Sequence, residues 1–157
     1  MEKTWLRALG KMTYGIYVLT VRHKSEINGM IASWVSQISY DPPLLMIAVH
    51  PNRYTNKLIR QSGHFTLHVL AKEQKDLLER FKGPDPESKF ESIGWTEGKT
   101  GCPVLKDCVA YMECEVTEVH GPGNHTLFMG KVIDARFFSE KKPLSTLDYS
   151  GTYLGKD

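Results

Sequence analysis

Two long stretches late in the chain limit its fold more than any others. In "CVAYMECEVTEVH", residues 108–120, Ala110, Met112, Cys114 and Val116 fall on one side, and Glu113, Glu115 and Thr117 fall on the other. That period of two belongs to a half-buried strand whose acidic face is solvated. "GPGN" turns the chain, and "HTLFMGKVIDARFF", residues 125–138, returns. Strands of this length joined by so short a loop form an antiparallel hairpin and commit the chain to a sheet.

Four further segments extend that sheet. "YGIYVLTV", residues 14–21, is β-branched and aromatic, as in a buried strand. "RHKSEING" predicts a turn with Asn28-Gly29 as its dipeptide, and residues 30–40 return as the second strand. Pro42-Pro43 interrupts pairing, because proline donates no ladder hydrogen bond. "LLMIAVH", residues 44–50, and "HFTLHVL", residues 64–70, read as two more strands. Short helices are expected over residues 2–11, anchored by Trp5 and Leu6, and within 51–63. The second of these is capped by Thr55 or Asn52, faces Leu58 and Ile59 inward and stops at Gly63. A third falls within 72–81, with Leu77, Leu78 and Phe81 at helical spacing. Residues 82–103 carry Pro84, Pro86, Pro103 and several glycines, and predict a long irregular loop of the kind that usually serves a function. Six strands, short helices and Greek-key-length connections make a mainly β chain, a small antiparallel barrel with helical additions. The length of 157 residues fits a single domain, 1–157.

Composition narrows the class. Twenty Lys and Arg against 18 Asp and Glu give a net charge of +2, and no dense basic cluster exists, so no nucleic-acid partner is expected. No apolar run approaches the roughly 20 residues of a membrane helix. The start, "MEKTWLRALGKM", lacks the apolar core of a secretory signal, so a cytoplasmic location is expected. Cys102, Cys108 and Cys114 are odd in number and contain no CxxC pair, which favours reduced thiols acting as small hydrophobes. His64 and His68 lie about 13 Å apart along a strand, too far to share a metal ion, and no metal site is expected.

The stretch "NGMIASWVSQISYDPP", residues 28–43, holds more small polar groups than a core strand needs. No GxGxxG, GxxxxGK[ST] or GxSxG is present, so a nucleotide would have to be held some other way. Flavin mononucleotide, FMN, makes demands that this stretch can meet. Its phosphate requires N–H groups, hydroxyls and a cation, its ribityl chain small polar partners, and its ring an apolar shelf. Residues 31–39 offer hydroxyls, an amide and one large aromatic. "PNRYT", residues 51–55, adds Arg53, Thr55 and a helix start. The same residues also suit an edge strand with solvent-facing serines beside an ordinary helix.

In order, "KMTYGIYVLT", "NGMIASWVSQIS", "DPPLLMIAVHPNRYTNKLI", "SGHFTLHVL" and "HTLFMGKV" resemble the flavin reductase-like FMN-binding split-barrel family over nearly the whole chain. The similarity is nearest to the flavoredoxin and ferric-reductase branch, where the second strand reads G-x-I-A-N-x-x-x-Q and this chain reads "GMIASWVSQ". The resemblance implies a six-stranded antiparallel split barrel and a homodimer with FMN near its interface. It places Met30, Ile31, Ala32, Ser33 and Trp34 along the flavin, with Gln37 and Ser39 at its ring or ribityl end. Asn52, Arg53, Tyr54 and Thr55 fall around the phosphate, Lys89 and Phe90 of "ESKF" on a loop that reaches the cofactor, and His125 near a nicotinamide. Ser33 stands where that branch has Asn, and Trp34 is bulkier than the residue usual there.

The function so implied is an FMN-dependent oxidoreductase. It takes electrons from NADH or NADPH and passes them through bound flavin to free flavin, ferric iron or a redox-protein partner. Two alternatives stay open: a flavoredoxin-like carrier with little direct nicotinamide activity, and a non-catalytic flavin-binding module.

Overall fold

In a computed structural model of the chain, residues 2–148 are described; Met1 and 149–157, the two ends of the expected 1–157 domain, lie outside the described residues. The predicted hairpin is the longest pairing: β8 (Ala110–His120) runs antiparallel to β9 (Thr126–Phe137). Its register shifts between Glu113 and Cys114, and both of these side chains are fully buried. Glu113 is therefore not solvated as its period-two position implied. Its carboxylate accepts from the Lys99 and Thr100 backbone N–H groups, at 3.1 and 2.9 Å, and from the Thr100 hydroxyl at 2.7 Å.

The first hairpin also differs from expectation. β1 (Tyr17–His23) pairs with β2 (Glu26–Ala32), and the turn is Lys24-Ser25, where Lys24 adopts φ 56°. Asn28 and Gly29 lie inside β2, opposite Val21 and Thr20. Gly29 serves close approach rather than a turn: a Cβ there would meet Phe81 at 2.6 Å.

Residues 30–40 form two strands, because the run breaks at Ser33-Trp34 before β3 (Val35–Tyr40). Asp41-Pro42 turns the chain, and Pro43 opens β4 (Pro43–Val49) opposite Tyr40, so the proline interruption is confined to a tight turn. With β5 (His64–Val69), the main antiparallel sheet has seven strands where six were expected, in the order β2-β1-β5-β8-β9-β4-β3. Its outermost strands, β2 and β3, are consecutive in the chain. Ser33-Trp34 is therefore the seam that carries the chain from one edge strand of the sheet to the other.

Among the helices, α1 (Lys3–Leu9) forms as expected but buries none of its residues, and Trp5 is 61% exposed instead of acting as an anchor. α2 (Tyr54–Ser62) buries Leu58 and Ile59 and ends at Gly63 in the left-handed region, φ 73°, where glycine carries no Cβ penalty. Arg53, rather than Asn52 or Thr55, takes the N-cap position, with no side-chain capping bond. A 3-10 turn at Lys72–Gln74 leads into α3 (Asp76–Phe81). The expected loop 82–103 is organised: it contains α4 (Pro86–Phe90) and β6 (Trp95–Glu97), and reaches the start of β7 (Pro103–Leu105). No helix among the described residues is long and apolar enough to cross a membrane.

β1 is buried on both faces. Leu19 and Val21 pack with Ile47, Leu58, Phe65 and Phe128; Val18 packs in a second cluster with Phe81, Phe90, Val104 and Leu105. His68 of β5 ties two members of the second cluster together: its Nδ1 donates to the Val18 carbonyl at 3.0 Å. Its Nε2 accepts from the Leu105 N–H at 3.1 Å. The three cysteines are free thiols and buried.

Candidate functional site

The seam between β2 and β3 opens into a cleft of two adjoining lobes. Met30, Ile31 and Ala32 bring the end of β2 to the first lobe, and Ser33 and Trp34 bring the seam itself. Ala48 and His50 come from the end of β4, and Asn124 and His125 from the β8–β9 turn. This lobe measures about 510 Å³ and the second about 580 Å³, each within the range of small-molecule sites. Met30, Ile31, Asn52 and Arg53 line both, so they form the waist.

The first lobe has a wall of three rings. The His125 ring centroid lies 4.6 Å from that of Trp34, tilted by 53°, and 5.3 Å from that of His50, edge on. His125 Nδ1 is 2.8 Å from Asn124 Oδ1. His50 Nδ1 accepts from the Asn52 N–H at 3.1 Å, which puts the proton of the neutral His50 ring on Nε2. Burial, then the neighbouring His50 and Arg53, hold the His125 pKa below the ordinary histidine range, so its ring is neutral at pH 7.

The second lobe is cationic. Arg53, Lys82 and Lys89 line it beside Tyr54, Thr55 and Asn28. Lys89 is 5% exposed, and its ammonium donates to Asn28 Oδ1 at 3.0 Å and to the Gly29 carbonyl at 2.8 Å. Burial and then Arg53 lower its pKa, while Asp85 opposes them. The N-terminal turn of α2, without a side-chain cap, opens on the same lobe through Arg53, Tyr54 and Thr55.

Residues singled out in the sequence divide between these places. Met30, Ile31, Ala32, Ser33, Trp34 and His125 line the first lobe; Tyr54, Thr55 and Lys89 line the second; Asn52 and Arg53 line both. Gln37 and Ser39 lie on β3 outside both lobes, where the Gln37 amide donates to the Ser39 carbonyl at 3.2 Å. Phe90 is in the second core cluster, edge on to Phe81 with centroids 5.6 Å apart. Sequence reasoning missed Asn28, Ala48, His50, Asn124 and Lys82. Position alone could have suggested two of these: His50 immediately precedes "PNRYT", and Asn124 immediately precedes His125.

The arrangement suits an elongated ligand with a flat ring system at one end and an anionic group at the other. A family described as the flavin reductase-like domain matches residues 9–155. The chain is 31% identical over 153 residues to HsaB, the reductase subunit of a flavin-dependent monooxygenase from Mycobacterium tuberculosis. That similarity covers 98% of this chain and 81% of HsaB. It is 30% identical over 155 residues to a ferric-chelate reductase (NAD(P)H) from Archaeoglobus fulgidus, covering 96% and 92% of the two chains. The structure of the NADH:FAD oxidoreductase SgcE6 from Streptomyces globisporus superposes with a TM-score of 0.84 at 28% identity, covering 92% of this chain and 88% of that one.

Proposed function

The chain belongs to the flavin reductase-like domain family, and we propose that its cleft holds FMN, with the ring in the first lobe and the phosphate in the second. It is a flavin-dependent reductase that draws on NADH or NADPH. The observation that carries the FMN reading is the shared waist: Asn52 and Arg53 stand between a ring-lined lobe and a cation-lined one.

The residues present fit such a ligand. Ala32, Ser33 and Ala48 are small enough to leave room for a flat ring, and Met30 and Ile31 offer apolar surface. Arg53 and Lys89 supply charge to a phosphate, and the start of α2 supplies oriented N–H groups. When bound, the flavin supplies the redox chemistry, accepting electrons from reduced nicotinamide and passing them on. The protein binds, orients and shields. Neutral His125 adds a polar ring to the wall without placing a positive charge beside the reacting rings. No side chain is assigned as a general acid or base.

The acceptor in this reading is free flavin, ferric iron or a redox-protein partner. The reading also includes a cytoplasmic homodimer shaped as a split barrel. The homodimer is supported by exposed Ile38 and Tyr40 on β3, and the split barrel by an antiparallel sheet whose two edge strands are consecutive in the chain. Anaerobic mixing of FMN-loaded protein with NADH and with NADPH tests the activity. Rapid bleaching of the flavin absorbance is expected. Flavin that binds yet keeps its colour with both donors would leave an electron carrier, and protein that never takes up FMN would end the proposal.

A further inference from the structure

We propose that Asn28 is a positioning residue whose buried side-chain amide holds the Lys89 ammonium and the Thr55 hydroxyl together as one phosphate-reading unit. The inference rests on the assignment of the second lobe to a flavin phosphate.

An asparagine side chain in mid-strand is costly to bury unless both ends are bonded. Asn28 is 4% exposed, and both ends are bonded. Oδ1 accepts from Lys89 Nζ at 3.0 Å, and Nδ2 donates to Thr55 Oγ1 at 3.0 Å. The amide thus ties α4 to the start of α2 through the middle of β2, and all three residues line the cationic lobe.

The chemistry of the tether matters as much as its geometry. A buried lysine is ordinarily paired with a carboxylate. Among the described residues Lys89 forms no ion pair, and both of its bonds go to neutral oxygens, the Asn28 amide and the Gly29 carbonyl. Neutral acceptors fix the ammonium without cancelling its charge. Two of its three donors are used, and the third remains for the lobe. Thr55 accepts from Asn28 and keeps its own O–H to donate. The result is a held positive charge and a held hydroxyl, both suited to a phosphate dianion. Phe81 and Phe90 meet edge on behind Gly29, and Phe90 packs the end of α4 against β2 there.

The test compares FMN with riboflavin, which lacks the phosphate, in wild type, Asn28→Asp and Asn28→Ala. Asn28→Asp keeps the side-chain volume and an acceptor for Lys89 but sets a negative charge beside the ammonium that offsets its attraction for a phosphate. Wild type should prefer FMN, and Asn28→Asp should lower FMN affinity by roughly tenfold or more while riboflavin affinity stays within about twofold. Asn28→Ala should move the same ratio in the same direction. An unchanged preference, or equal losses for both ligands in folded protein, overturns the role. Wild type that binds riboflavin as tightly as FMN defeats the phosphate assignment, and this proposal with it. The wild-type protein gives a second readout that does not depend on variant folding. The Asn28 side-chain amide resonances should shift with saturating FMN and hold still with riboflavin, and equal shifts with both count against the proposal.

Discussion

The His125 and Trp34 ring centroids lie 4.6 Å apart in one wall of the first lobe, one ring carried by the β8–β9 turn and the other by the seam between β2 and β3. Trp34 is the residue that departs in size from the flavoredoxin pattern, and the contact puts its indole against the side chain expected to meet a nicotinamide. His125→Gln should slow flavin reduction by NADH roughly tenfold, since misplacing a reactant is costly, while FMN affinity changes little. The His125 pKa lies below the ordinary range, so the wild-type ring gains charge only on the acid side of about 6.5. The wild-type rate should therefore fall along an acidic limb that the variant lacks. Stopped-flow reduction across pH measures both, and an unaltered limb in the variant would exclude His125 as its source.

Arg53 stands at the waist between the lobes. Arg53→Ala should weaken FMN by about 1.5–3 kcal/mol if the guanidinium makes a charge-assisted contact. Riboflavin binding should hardly change. Fluorescence titration with both ligands reads the difference, and equal FMN affinity in variant and wild type removes Arg53 from the site.

His68 predicts acid sensitivity. Its neutral form satisfies the Val18 carbonyl and the Leu105 N–H, and burial lowers its pKa from 6.5 to about 4. The unfolded chain takes up a proton near pH 6.5, whereas the folded protein resists until about pH 4. This contribution to stability is complete above the unfolded pKa and is lost as pH falls from there towards about 4. Its full size is of the order of 3 kcal/mol. Urea unfolding of wild type and His68→Gln at several pH values separates this group from the carboxylates. The variant should be less stable at neutral pH but should lose less on acidification.

Gly130 of β9 lies opposite Val116, and a Cβ there would stand 2.6 Å from Phe65 and 2.8 Å from Cys114. Both neighbours are fully buried and have nowhere to move. Gly130→Ala should cost about 1–3 kcal/mol through overpacking, seen as a lower melting temperature. A melting temperature equal to that of wild type would mean that the core yields more readily than its packing suggests.

The parts of the fold that could be read in the sequence were those with long periods. β8 and β9 run for eleven and twelve residues, long enough for the hairpin to register even though the alternation read in β8 is broken by shifts in its pairing. α4 has five residues, and β6 and β7 have three each, too few for a period to register. Asn28-Gly29 misled because the pair has two physical uses: a turn needs its backbone freedom, while here the strand needs a polar amide and an absent Cβ. Glu113 misled because a register shift turned a charged residue inward to bind backbone N–H groups distant in sequence. The lining of the candidate cleft was legible where resemblance ran through consecutive residues, from Met30 to Trp34 and from Asn52 to Thr55. His50 and Asn28 were not, since their places in the cleft depend on neighbours that only the folded chain supplies.

Joining the sheet's outermost strands through just Ser33 and Trp34 has a mechanical consequence. Any fluctuation that separates β2 from β3 must pull at the same two residues that line the first lobe. A ligand bound in this lobe would bear on β2 and on the seam at once and should raise the temperature at which the scaffold loosens.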